Sequence, residues 1–186
     1  MIDRVAAGLG GLHDWSLAGS AGARDEASDV EWSVHAAAGE GRRTLREWRD
    51  VTGASSSLGA EPLNPVFLSA GLTWKRVRAR LIVDDYRQGS TVAYGELTAR
   101  PEVVGFRTVI ADVQAELPLS STLTLRPRLS ARLQLPWQTN DERSDFFFDK
   151  SAARALAGLS AWWTPTETVS VAGGVDTFVD HAWLNG

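Results

Sequence analysis

An all-β fold, an antiparallel up-and-down meander of about eight long strands, is what the sequence predicts. Three observations predict it. Apolar and polar residues alternate with period two over segments much longer than an ordinary strand. The connections between those segments run short, long, short, long. No stretch of the 186 residues supplies the ~18–20 consecutive apolar residues of a membrane helix; mean hydropathy is −0.15 and 44% of residues are hydrophobic.

Taken in order, residues 1–11 carry no alternation and are read as a short disordered stretch. Weak alternation over 15–21 and 30–38 marks two strands joined by a turn near Arg24–Ser28. A long polar stretch follows, about 39–63. In 66–74, Val66, Leu68, Ala70, Leu72 and Trp74 alternate with Phe67, Ser69, Gly71 and Thr73. In 77–86, Val77, Ala79, Leu81 and Val83 alternate with Arg78, Arg80, Ile82 and Asp84. The two-residue link Lys75-Arg76 makes these a hairpin and sets its register. Leu72 should face Ala79, Ala70 should face Leu81, and Leu68 should face Val83, so that apolar residues share one side. A second polar stretch covers about 87–102. In 108–117, Val109, Ala111, Val113, Ala115 and Leu117 oppose Thr108, Ile110, Asp112, Gln114 and Glu116.

The clearest segment is 122–137, where Leu123, Leu125, Pro127, Leu129, Ala131, Leu133, Leu135 and Trp137 alternate with polar neighbours until Pro136. Its roughly 16 residues at ~3.3 Å each reach ~50 Å, against ~5–6 residues for an ordinary strand. Strands of that length are normal where a tilted strand crosses a membrane and projects beyond it. Pro127 lacks a ladder donor, which marks a local bulge or weakens the strand. A third polar stretch, about 138–151, precedes weaker strands at 153–163 and 168–178, joined at Thr164–Glu167.

The polar faces carry the charge. Arg78, Arg80, Asp84, Asp112, Gln114, Glu116, Arg126, Arg128 and Arg132 fall on the polar side of their strands. If the Leu117–Ser121 turn closes a simple hairpin, Asp112, Gln114 and Glu116 lie across from Arg126, Arg128 and Arg132, and opposite charges pair. The alternative is a solvated outer face of a soluble sheet. The apolar faces include Ala153, Ala155, Ala157 and Ala161, small residues that lipid covers more easily than a protein core does.

Composition excludes several classes. There is no cysteine, hence no disulfide framework, thiol nucleophile or Cys-ligated metal. Nineteen basic and 23 acidic residues give a net charge of −4 with no basic tail, which argues against nucleic-acid binding. Only Lys75 and Lys150 are lysine, so the basic set is overwhelmingly arginine, suited to fixed ion pairs or anion contacts. His13, His35 and His181 have no metal-ligand spacing, and no Gly-x-Ser-x-Gly or phosphate-binding glycine loop occurs. No catalytic residue, metal ligand or cofactor is assigned. Asp84-Asp85 and Asp141-Glu142 could bind Ca²⁺ in outer loops but read first as solvated loop acids, and Phe146-Phe147-Phe148 reads as the membrane-interface start of the next strand ahead of a ligand contact or a fold back onto the barrel.

This pattern resembles bacterial outer-membrane β-barrels. The texture of Leu72–Tyr86 and Leu123–Trp137 is similar to the barrel portion of a TonB-dependent receptor, over about residues 12–180. The resemblance implies a transmembrane β-barrel or a segment of a larger one, in the bacterial outer membrane. It implies lipid around the wall, an energy-coupling periplasmic partner and a small-molecule solute passing through. The lumen-lining set would be the nine polar-face residues named above. Trp15, Trp32, Trp74, Trp137 and Trp163, five of the eight tryptophans, would form interfacial girdles. Trp48 and Trp183 are placed in loop or tail, and Trp162 on the polar face.

The family's plug domain, energy-coupling box and closing aromatic strand are not seen, and Met1–Leu9 has no signal-peptide h-region. A short first connection would set both chain ends on the extracellular side, so an internal piece of a larger barrel is expected. A small passive porin-like barrel and a soluble all-β ligand-binding domain remain the alternatives.

Overall fold

A computed structural model describes residues 4–10, 14–42, 47–57, 62–93, 96–138 and 149–185. Nine strands form one continuous antiparallel path: β1 (Arg4–Gly10), β2 (Asp14–Asp25), β3 (Val30–Arg42), β6 (Pro62–Trp74), β7 (Val77–Ala93), β8 (Glu96–Ala115), β10 (Leu123–Gln138), β11 (Lys150–Thr166) and β12 (Val169–Leu184). Each pairs with the next in that order. The two-residue β9 (Leu117–Pro118) adds to the side of β10. β4 (Glu47–Arg49) and β5 (Ser55–Ser57) form a separate small hairpin within the connection from β3 to β6. The sheet is open: among the described residues β1 and β12 are its two edges and do not pair with each other.

The central hairpin forms in the predicted register, with Leu72 opposite Ala79, Ala70 opposite Leu81 and Leu68 opposite Val83. Lys75 takes a left-handed backbone conformation there, φ 53°. A positive φ at the first turn residue lets a two-residue turn follow the right-handed twist of its strands, at a steric cost to a residue with a Cβ. The β2–β3 hairpin turns differently. Asp25 accepts hydrogen bonds from the Ala27 backbone N–H at 3.1 Å and the Ser28 hydroxyl at 2.5 Å, an Asx turn that precedes Asp29 at φ 52°. These bonds hold the Asp25 carboxyl below the usual carboxylate range, the Ser28 hydroxyl contributing most.

Backbone bonds then join one short connection to the next. Lys75 N–H donates to Asp29 O at 2.9 Å, Glu116 N–H to Arg76 O at 2.9 Å and Thr164 N–H to Thr122 O at 2.8 Å. The short-turn rim is therefore continuous with the ladders beneath it.

Period two separates the faces as expected. One row across the sheet reads Trp32, Leu72, Ala79, Val113, Leu129, Ala157 and Thr177. The next reads Val34, Ala70, Leu81, Ala111, Ala131, Ala155 and Val179. No second layer covers this face among the described residues. Leu129 is 64% exposed and Val179 70%, whereas Val104, at 4%, is the one buried apolar side chain among them. A single sheet with an uncovered apolar face has no conventional core.

Pro127 sits in the ladder to β11 opposite Leu159. On the other side, the pairing of β10 with β8 begins only at Arg128, and β9 takes over at Leu125. The residue with no N–H to give falls at the break between β8 and β9, so no bulge is needed there.

Several sequence expectations are corrected. The stretch 1–11 is not disordered throughout, because Arg4–Gly10 pairs with Ser20–Asp14. Its small, unpatterned residues gave no amphipathic signal, but backbone pairing does not need one. With β1 added, the nine strands make β1 and β12 run in the same direction, so the first and last strand ends do not share a side. Nor is 87–102 an open loop, since β7 and β8 stay paired out to Ala93 and Glu96. The connection 39–63 is shorter than expected and contains β4 and β5, and Trp183 belongs to β12 rather than to a tail. In these stretches the backbone ladder continues where the alternation of apolar and polar residues has stopped. Of 138–151, residues 139–148, with Asp141-Glu142 and Phe146-Phe147-Phe148, lie outside the described residues, as does His13.

Candidate functional site

The ladders bring the predicted polar residues to one face. One row reads Glu31, Thr73, Arg78, Gln114, Arg128, Gly158 and Asp176, and the next Ser33, Gly71, Arg80, Asp112, Ser130, Leu156 and Phe178. Arg132 and Asp84 belong to two further rows of the same face, opposite Ile110 and Thr108. The face is not uniformly polar, because Ile82 and Ile110 meet within it.

Three ion pairs order the β8–β12 side of this face. Arg128 Nε lies 2.7 Å from Asp112 Oδ2. Arg126 donates to Glu116 Oε1 through Nη2 at 2.8 Å, and its guanidinium lies 5.2 Å from the Trp162 ring centroid. Trp162 in turn donates to the Ser170 hydroxyl at 2.8 Å. The hydrogen bond from Arg126, then its charge and those of Arg78 and Arg76, holds the Glu116 carboxyl below its usual range. Arg154 grips Asp180 with two bonds of 2.6 and 2.7 Å and stands 4.6 Å from the Phe178 ring. Planar guanidinium suits both contacts.

The expected pairing of Asp112 and Glu116 with the arginines of β10 is therefore found for Arg128 and Arg126. Arg132 is not brought to an acid: its neighbours in register are Ile110 and Arg154. Sequence reasoning missed Arg154–Asp180, whose two strands alternate weakly between alanines, glycines and valines. It also missed Arg107–Asp85. Those side chains meet on the apolar side, with Nη2 2.5 Å from Oδ2, in the row that also holds Leu135 and Val66. Asp84 and Asp85 point to opposite faces, so they do not act together on a cation. Among the described residues, no group of three or more His, Asp or Glu side chains could hold a metal.

A cavity of about 390 Å³ opens on the polar face where β3, β6, β7 and β8 run together. Arg78, Arg80, Glu31, His35, Asp112 and Gln114 line it, with Ser33, Ser69 and Thr73 between them. Gly71 forms part of its floor: a Cβ there would sit 3.1 Å from the Ser33 hydroxyl. Asp112 is already paired to Arg128, whereas Arg78 and Arg80 form no ion pair among the described residues.

The tryptophans of the apolar face lie toward its two ends. Trp32, Trp74 and Trp163 lie toward the short turns, exposed by 42, 52 and 49%. Trp15 lies at the other end, where its ring N–H donates to Glu40 at 3.2 Å; Trp183 lies there too, stacked on His181 at 5.2 Å. The backbone of Trp137 is in β10, where register shifts between Leu135 and Gln138. Relative to the row through Leu72 and Ala157, Trp74 is two residues turnward and Trp163 six.

No family model, curated protein or solved structure gives a significant match to the chain.

Proposed function

We propose that the chain is part of the wall of an outer-membrane β-barrel, with its apolar face in lipid and its polar face lining the lumen. The observation that carries this reading is the uncovered apolar face. A soluble sandwich needs a second layer over Leu129, Val113, Leu81 and Val179, and none lies among the described residues. Leaving about 25 cal/mol per Å² of such surface in water would be costly. In lipid the same surface needs no protein partner, and every central strand already satisfies its backbone in the ladders.

Strands β7, β8, β10, β11 and β12, of 16–20 residues, support a spanning wall with projecting ends. The open edges support a larger barrel. β1 and β12 run in the same direction, so this sheet needs at least one more strand to close antiparallel. Among such barrels we favour the transporter type that works with an energy-coupling periplasmic partner, on the strength of the Leu72–Tyr86 and Leu123–Trp137 texture. Solute would then pass beside Arg78, Arg80 and the ion pairs of β8–β12.

Tryptophan quenching by phosphatidylcholine brominated on its acyl chains tests the lipid-facing assignment. Strong quenching of protein refolded into such vesicles is expected. A chain that purifies as a detergent-free monomer, unfolds cooperatively and shows no quenching would end this reading.

A further inference from the structure

We infer that the cavity at Arg78 and Arg80 binds an oxyanion: the phosphate, sulfonate or carboxylate group of a solute. The inference rests on the barrel-wall reading for its place in a lumen, but the site is defined by its own chemistry. Arg78 and Arg80 are two apart on β7, so both project to the polar face, their Cα atoms separated by roughly 7 Å. Among the described residues neither forms an ion pair, and Arg78 reaches Glu116 only through its charge. Asp112, the acid nearest in register to Arg80, is taken by Arg128. The cavity thus holds two uncommitted guanidiniums against the single uncommitted carboxylate of Glu31.

Four other lining residues supply donors to the same ligand, beside the apolar Trp32, Leu72 and Ala79. Ser33, Ser69 and Thr73 offer hydroxyl donors, and Gln114 offers an amide. Gly71 keeps the floor between Ser33 and Arg80 free of a side chain. Guanidinium forks bind oxyanions through paired N–H donors, which ammonium groups do not reproduce. A volume of about 390 Å³ accepts a solute carrying such a group, well beyond a bare ion.

Inorganic phosphate is the probe, titrated calorimetrically into the full chain refolded in vesicles, with chloride held constant. Saturable binding is expected for the wild type. R78Q/R80Q should weaken it at least tenfold, R78K/R80K should recover part of the loss, and E31Q should tighten binding. Arg76 lies on the turn outside the cavity, and R76Q should change affinity less than twofold. No binding by the wild type, or unchanged binding by R78Q/R80Q, overturns the site. A loss in R76Q equal to that in R78Q/R80Q also overturns it, because binding would then be diffuse charge attraction. Brominated-lipid quenching on the same samples confirms that each variant is folded into lipid. It also separates the two failures: quenching without phosphate binding removes only the anion site. If quenching is absent, the barrel wall fails, and the same titration on detergent-solubilised protein still decides the site.

Discussion

Arg128 and Asp112 meet at 2.7 Å although they are not partners in the ladder; the Cα partner of Arg128 is Gln114 and that of Asp112 is Ser130. The ion pair is diagonal. Twisted strands bring one diagonal closer than the other, and a long guanidinium spans it. Gln114 is left beside Arg78, to which it is the direct partner, on the wall of the cavity. The sheet's twist thus commits Arg128 to structure and leaves Arg80, the direct partner of Asp112 on β7, without an acid.

Faces should be separable by substitution at adjacent positions. Leu129 is 64% exposed on the apolar face between Val113 and Ala157. Leu129→Arg should cost about 2–4 kcal/mol of stability in phosphatidylcholine vesicles, the penalty for a cation deep in lipid. Arg128→Leu should cost about 1 kcal/mol or less. Guanidinium unfolding of both variants in the same vesicles measures the difference, and equal costs would refute the assigned facing.

A double-mutant cycle on Arg128→Ala and Asp112→Ala should return a coupling of about 0.2–1 kcal/mol, because the arginine side chain is half exposed. Raising salt to 1 M should shrink it. A salt-independent coupling would mean that the pair is shielded from water.

Glu116 supplies a pH dependence with a definite sign. Its carboxyl titrates below the usual range in the folded chain, through Arg126 first. The stabilisation is present above the ordinary glutamate pKa of about 4.3 and is lost as pH falls through the lower folded value. Wild type should therefore unfold at higher denaturant than Glu116→Gln at pH 7, and the gap should close on acidification below about pH 4. A gap that widens in acid would contradict the Arg126–Glu116 contact.

At Lys75, φ 53° is a conformation that glycine adopts without strain. Lys75→Gly should raise stability by up to about 1 kcal/mol. Its ammonium also lies 5.5 Å from the Trp74 ring centroid, which offsets part of the gain. The unfolding midpoint of Lys75→Gly against Lys75→Ala isolates the backbone effect, and no difference between them would remove it.

Period two was enough to place Leu68, Leu72, Leu129 and Leu133 on one face and Arg78, Arg80, Asp112 and Arg128 on the other. With a two-residue turn it also fixed the register of β6 and β7. These are local rules: side-chain direction alternates along any strand, and a tight turn leaves one pairing that keeps both apolar sets together. The outer halves of β7 and β8, and all of β1, were not legible, because backbone pairing there persists without amphipathic contrast. Long-range register alone joined Arg107 to Asp85 and Arg154 to Asp180. It also set Glu31 of β3 and Thr73 of β6 in one row with Arg78 of β7 and Gln114 of β8. The cavity exists only where those four strands align, and which arginine stays uncommitted depends on the twist that draws Asp112 to Arg128. Alternation fixes the side on which a residue projects; its neighbours on that side follow from pairing and twist across strands distant in the chain.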